Sequence, residues 1–167
     1  LRIDQDLDST PIKLELITLS EYDAIVISDY DKGSITYEII QRVRNNYVGP
    51  VFVDTKKTDL ARLEGCIIKI NLLEYNKLTT KPSETTDLIV THGDKGVIWN
   101  STTFTAKKVE VSDVCGAGDT FLAALTVGYL QSNNDMHSAI EYAIKASAVT
   151  VQHVGVYAPT SEEINAT

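Results

Sequence analysis

The chain has 167 residues, close to the roughly 150 of an average domain, and can bury about 70% of its unfolded surface without disulfide staples. Hydrophobic residues make up 43% and charged residues 23%, which excludes disordered, collagen-like and low-complexity classes. The formal net charge of −8 speaks against nucleic acid or an anionic membrane as partner, though a local basic site could still hold a phosphate.

In chain order, Ala24-Ile25-Val26-Ile27 is the first apolar run, closed by Ser28-Asp29. Ile35, Ile39, Ile40, Val43 and Tyr47 then follow at the spacing of one helix face. Val51-Phe52-Val53, Ile67-Ile68-Lys69-Ile70 and Leu88-Ile89-Val90-Thr91 are further runs, each ending in polar residues. Such short, continuous, β-branched runs predict strands buried on both faces of a parallel sheet. Gly96 to Lys107 differs, because Val97-Ile98-Trp99 and Thr103-Phe104-Thr105 flank a polar turn and predict a hairpin. Thr120 to Gln131 predicts an apolar helix. Asn133-Asn134-Asp135 offers the cap of a second helix, whose apolar positions run from Met136 to Ser147 and which fades before Gly155 and Pro159. The expected fold is one α/β domain over 1–167, with a mostly parallel sheet flanked by helices.

Two cysteines, Cys66 and Cys115, are too few for a secreted disulfide scaffold and suit a reducing cytoplasm. No apolar run reaches the length of a membrane span, and no signal-peptide pattern opens the chain. The first residue is Leu1 and the one methionine is Met136, so the sequence is expected to be a piece of something longer. The three histidines are dispersed and predict no metal cluster, and His137 is expected at the surface of a first helical turn.

The segment richest in chemistry is Asp113-Val114-Cys115-Gly116-Ala117-Gly118-Asp119-Thr120, directly before an apolar helix. Small residues at 116–118 let the backbone approach a ligand, and a helix starting there aims free N–H groups at an anion. Asp119 in that position suits proton removal from a hydroxyl beside a phosphate. Local physics equally allows a tight loop with Asp119 as the helix cap.

That segment, continued as DVCGAGDTFLAAL, closely resembles the C-terminal signature of the ribokinase-like (PfkB-type) carbohydrate kinases. The resemblance implies an anion hole from the backbone of Gly116, Ala117 and Gly118, with Asp119 as general base on a sugar hydroxyl. Asn71-Leu72-Leu73-Glu74 resembles the Asn-x-x-Glu element of that family, which implies that Asn71 and Glu74 help hold Mg²⁺ and orient ATP; alone, the pair reads as a helix cap and a first-turn acid. Thr91, Gly93 and Gly96 match the family's strand-end loop along the ATP phosphates, and Asp54-Thr55-Lys56 resembles its Asp-Pro-Lys element. Ser28-Asp29-Tyr30-Asp31-Lys32-Gly33 is similar to the heptose 7-phosphate kinases of ADP-heptose synthesis, which implies a sugar phosphate substrate met by Asp29 and Lys32. Leu1-Arg2-Ile3-Asp4 resembles the segment just upstream in those enzymes.

The same resemblance places a long sugar-binding part ahead of Leu1, so the fold is expected to be ribokinase-like and truncated at its N-terminus. An uncovered apolar sheet edge would then favour a homo-oligomer. Cys115 stands where threonine is common and reads as a packing thiol, while Lys69 puts a charge on the nucleotide side. His153 and residues 154–158 fall where the family surrounds adenine. The expected activity is ATP-dependent transfer to a heptose 7-phosphate hydroxyl in the cytoplasm. The alternatives are a nucleotide-binding or assembly module without activity of its own, and a kinase for another sugar.

Overall fold

The computed structural model describes residues 9–13 and 18–167, and the Leu1-Arg2-Ile3-Asp4 motif lies outside them. The chain divides into two compact units, 1–88 and 89–167.

The first unit is built on a parallel sheet in the order β1-β2-β3, with β1 at Ile25–Asp29, β2 at Val51–Thr55 and β3 at Ile67–Asn71. Ile25 pairs with Val51 and Asp29 with Thr55, while Phe52 pairs with Ile67 and Asp54 with Lys69. Parallel neighbours need a crossover, and α1 (Tyr37–Asn46) supplies the first one. Its start is set by Thr36, whose hydroxyl accepts the Ile39 N–H at 3.3 Å. Its apolar stripe places Ile40, Val43 and the following Tyr47 in the core with Phe52, Val53, Ile68 and Ile70. A single 3₁₀ turn, Leu60–Leu63, takes the place of a crossover helix between β2 and β3 and buries both leucines. A four-residue helix, α2 (Leu72–Tyr75), leaves β3.

β2 and β3 are buried on both faces, as their continuous apolar runs predict. β1 is not. Val26 and Ser28 are exposed while Ile27 and Asp29 are buried, so this strand has one open face. The tyrosines that flank it, Tyr22 and Tyr30, are exposed as well. An apolar run reports that a strand is hydrophobic; it does not report whether both faces find cover.

The second unit opens with an antiparallel meander, β4 (Leu88–Thr91), β5 (Val97–Trp99) and β6 (Thr102–Phe104). The hairpin turns at Asn100, whose φ of 51° is the left-handed conformation asparagine tolerates. A helical hairpin follows, α3 (Ala117–Gln131) and α4 (Met136–Thr150). Asn133 and Asn134 turn the chain with positive φ, and the Asp135 carboxylate accepts the Ser138 N–H at 3.0 Å to start α4. The two helices pack closely because small residues meet. A Cβ on Gly128 would lie 3.2 Å from the Ala139 Cα, and Ala139, Ala143 and Ala146 are fully buried. A short helix, α5 (Ser161–Ala166), begins with a reciprocal cap between Thr160 and Glu163. Among the described residues no helix is long and apolar enough to cross a membrane.

Candidate functional site

In the first unit the chemistry gathers at the carboxyl ends of β1 and β2. Asp29 closes β1 with its side chain 1% exposed. One carboxylate oxygen accepts the Asp31 N–H at 2.9 Å; the other accepts the Thr55 hydroxyl at 2.7 Å and lies 3.4 Å from the Lys57 ammonium. Lys57 also donates to the Asp31 carboxylate, and its own N–H donates to the Thr55 hydroxyl at 3.0 Å. Burial works against the Lys57 charge. The Asp31 hydrogen bond and the two nearby carboxylates outweigh it and raise the ammonium above the ordinary lysine range.

Lys56 is exposed, with its ammonium 4.6 Å from the centre of the Tyr30 ring, and its N–H donates to the Asp29 carbonyl at 3.2 Å. Lys32 is half-buried, and its carbonyl accepts the Ser9 N–H at 2.7 Å. Asn71 and Glu74 are locked to each other at the start of α2. The Asn71 amide oxygen accepts the Glu74 N–H at 2.9 Å, and the Glu74 carboxylate accepts the Asn71 N–H at 2.8 Å. Lys69 is buried on β3, 2.6 Å from Asp54 of β2. Cys66 is buried too, and burial pushes its thiol up to about 11, against the nearby Arg44 charge.

In the second unit, β4 ends at Thr91 and enters a turn. The Gly96 N–H donates to the Gly93 carbonyl at 3.1 Å, and the His92 N–H donates to the Gly96 carbonyl at 2.8 Å. Gly93 and Gly96 thus share one compact loop. The 113–119 segment forms the other. Gly116 is the residue before α3, in the left-handed conformation with φ 76°. The Ala117 N–H bends back to the Val114 carbonyl at 3.3 Å, and the first helical bond runs from the Thr120 N–H to the Gly116 carbonyl at 2.8 Å. The N–H groups of Gly118 and Asp119 fall in the first turn, where a helix supplies no acceptor. Asp119 is exposed and its carboxylate has no partner among the described residues. The helix cap is Gly116, so the reading of Asp119 as the cap does not hold.

This loop is held from behind by contacts that the sequence alone did not reveal. Asp113 accepts the Cys115 N–H at 3.0 Å with one oxygen and the Gly155 N–H at 2.9 Å with the other. The Ser147 hydroxyl donates to the Ala117 carbonyl at 3.3 Å, and the hydroxyls of Thr150 and Thr120 lie 3.2 Å apart. The visible signal was an aspartate three residues before a small-residue loop, since aspartate favours local carboxylate-to-N–H turns such as the one to Cys115. Cys115 is exposed, not packed, because Asp113 fixes its N–H while its side chain points outward. His153 stacks on Tyr157 with ring centres 3.7 Å apart, and the Tyr157 hydroxyl donates to Glu163 at 2.7 Å. His137 is exposed beside Glu141, as expected.

The Gly155 and Cys115 N–H groups hold the Asp113 carboxyl below its ordinary value. A lowered carboxyl stabilises the fold at pH above its unfolded value, near about 3.9, and that contribution vanishes as pH falls through the folded value. Asp113→Asn is therefore expected to melt lower than the wild type at pH 7 and to lose less further stability between roughly pH 4 and pH 2. Melting curves of both proteins over that range check this. Parallel acid limbs would show that Asp113 is not a clamp.

Residues 13–163 match the pfkB family carbohydrate kinase profile. The chain belongs to the pfkB family. The protein "Bifunctional protein HldE" of Marinomonas sp. (strain MWYL1) is 33% identical over 89% of this chain and 36% of its own length. A protein of the same name from a Nitratiruptor species is 35% identical over 87% and 36%. The chain therefore spans about a third of the length of these relatives. Among solved structures, aminoimidazole riboside kinase from Salmonella enterica, complexed with aminoimidazole riboside and an ATP analog, superposes with a TM-score of 0.73. It is 21% identical, covering 94% of this chain and 66% of that one, so the likeness shows the ribokinase-type α/β fold. In this pfkB chain the segment that carried the resemblance is the loop before α3.

Proposed function

We propose that this chain carries the nucleotide and catalytic-base portion of an ATP-dependent kinase that phosphorylates a sugar phosphate, with a heptose 7-phosphate as the substrate. The observation that carries the reading is the start of α3. An exposed, unpartnered carboxylate, Asp119, stands beside N–H groups that the helix leaves without acceptors. Asp119 takes the proton of the sugar hydroxyl. The hydroxyl oxygen bonds to the γ-phosphorus, and the bond from that phosphorus to the bridging oxygen of ADP breaks. The backbone of Gly116, Ala117 and Gly118 lines the charge that develops; the donors are the N–H groups of Gly118 and Asp119, which have no helical acceptor, since the Ala117 N–H is already bonded to the Val114 carbonyl. Such transfer depends on positioning and electrostatics more than on covalent help from the protein.

The loop residues Thr91, Gly93 and Gly96 lie along the ATP phosphates, with Lys56 as a further cation on the nucleotide side. Mg²⁺ fits the donors present. Among the described residues no three acidic, histidine or cysteine side chains cluster as a full metal cage. Mg²⁺ in nucleotide sites is usually held by one or two protein groups, waters and phosphates. Glu74 spends one oxygen on the Asn71 N–H and keeps the other, and the reciprocal cap fixes its direction. When bound, the ion neutralises phosphate charge. Lys32 meets the phosphate of the sugar, and Asp29 anchors the loop that presents it.

A kinase assay on the full-length protein tests the reading, with heptose 7-phosphate beside ribose and fructose phosphates. Preferred ATP-dependent turnover of the heptose is expected. Turnover of another sugar alone overturns the substrate. No turnover, together with no binding of Mg-ATP by calorimetry, overturns the kinase reading.

A further inference from the structure

Lys57 is the least expected residue of the first unit. A lysine is rarely buried without being paired, yet this one is 6% exposed. Its ammonium reaches two carboxylates on the preceding strand end, Asp29 and Asp31, and lies 5.0 Å from the centre of the Tyr37 ring. Asp31 itself holds φ at 55°, a conformation that costs a non-glycine residue energy and persists only where its surroundings fix it. Here they do. The Asp31 N–H is tied to Asp29, its carboxylate to Lys57, and the backbone of the β2 end is stitched to the β1 end through Lys56 and Thr55. The next residue is Lys32. The turn that presents Lys32 is thus set by a side chain from another strand end, 26 residues further along the chain.

Charge points the same way. Asp29, Asp31, Lys32 and Lys57 are together formally neutral. Lys56, whose ammonium lies over the Tyr30 ring, adds one positive charge, and without Lys57 that excess, which favours an anionic sugar, is lost. We propose that Lys57 is a positioning residue for sugar-phosphate affinity: it fixes the 29–33 turn through Asp29 and Asp31 and cancels their charge, so that Lys32 can meet a phosphate. This rests on the kinase reading above.

Lys57→Met keeps the length and apolar stem and removes the charge. In the full-length protein, with whichever sugar phosphate the wild type turns over, KM for the sugar is expected to rise roughly tenfold or more. KM for Mg-ATP is expected to stay within about twofold, and Lys57→Arg to recover most of the loss. Lys57→Gln also removes the charge but keeps a polar tip that can donate to Asp29 and Asp31, and is expected to raise the sugar KM in the same direction. It keeps the test open if Lys57→Met does not fold. An unchanged sugar KM in a folded variant, or equal rises in both KM values, overturns the proposal. Failure of the wild type to turn over any sugar phosphate overturns the kinase reading instead, and is scored before any variant is made.

Discussion

Asp119→Asn in the full-length protein is expected to lower kcat by roughly 10³-fold, within the range that general-base removal costs. The substitution keeps size and polarity and removes only the ability to take a proton. Three observations make it a clean test. The side chain is exposed, it has no partner among the described residues, and it does not cap its helix, because Gly116 does. What the fold loses is one favourable acid in the first turn of α3, worth about 0.3–1 kcal/mol at a helix N-terminus. The melting temperature should therefore fall by no more than about 2–4 °C. KM for Mg-ATP should change little, since the N–H groups at the start of α3 remain. Steady-state kinetics and a thermal melt on the same preparation measure both effects. Turnover near the wild-type rate would remove Asp119 from the chemistry. A large fall in melting temperature would show that the carboxylate serves the fold.

Several elements of each unit were legible because their causes are local. An apolar stripe at helical spacing placed α1, the small-residue loop before an apolar run placed the start of α3, and Asp135 capped α4. Strand runs were legible for the same reason. What stayed hidden depends on partners far along the chain. No motif or periodicity marks Lys57 in the sequence, and only the pairing of β1 with β2 brings it to Asp29 and Asp31. Lys69 looked like a charge at a ligand, and only the register of β2 against β3 shows that Asp54 neutralises it. The clamp from Asp113 to Gly155 spans 42 residues and has no periodic signature. Asn71 and Glu74 are an instructive middle case. Their spacing of three satisfies a helix cap and the family's metal element at once, and the cap is the part geometry displays. The two roles are compatible, because a cap that uses one carboxylate oxygen aims the other.

Gly96→Ala is expected to destabilise the second unit by about 3 kcal/mol or more, combining a backbone conformation that only glycine adopts readily with a steric overlap. Gly96 has φ 100° and ψ −138°. A Cβ there would lie 1.9 Å from the Phe104 carbonyl oxygen and 2.7 Å from the Ala106 nitrogen. Both are backbone atoms of the segment ending β6, so no side-chain rotation relieves the clash. The methyl group must push β6 away from the start of β5, where Val97 pairs with Phe104. Gly93 supplies the control within the same loop. Its φ is 53°, and a Cβ on it meets nothing within 4 Å. Gly93→Ala should then cost only the left-handed conformation, about 1 kcal/mol. At about 2–4 °C per kcal/mol for a chain of this size, the melting temperature should fall by at least about 6 °C for Gly96→Ala and by about 2–4 °C for Gly93→Ala. The contrast separates two reasons for a glycine in a loop expected along ATP. If both variants melt alike and both lose Mg-ATP affinity, the two glycines are there for the ligand. If Gly96→Ala melts far below Gly93→Ala, Gly96 is there because two strands cross too closely for a side chain.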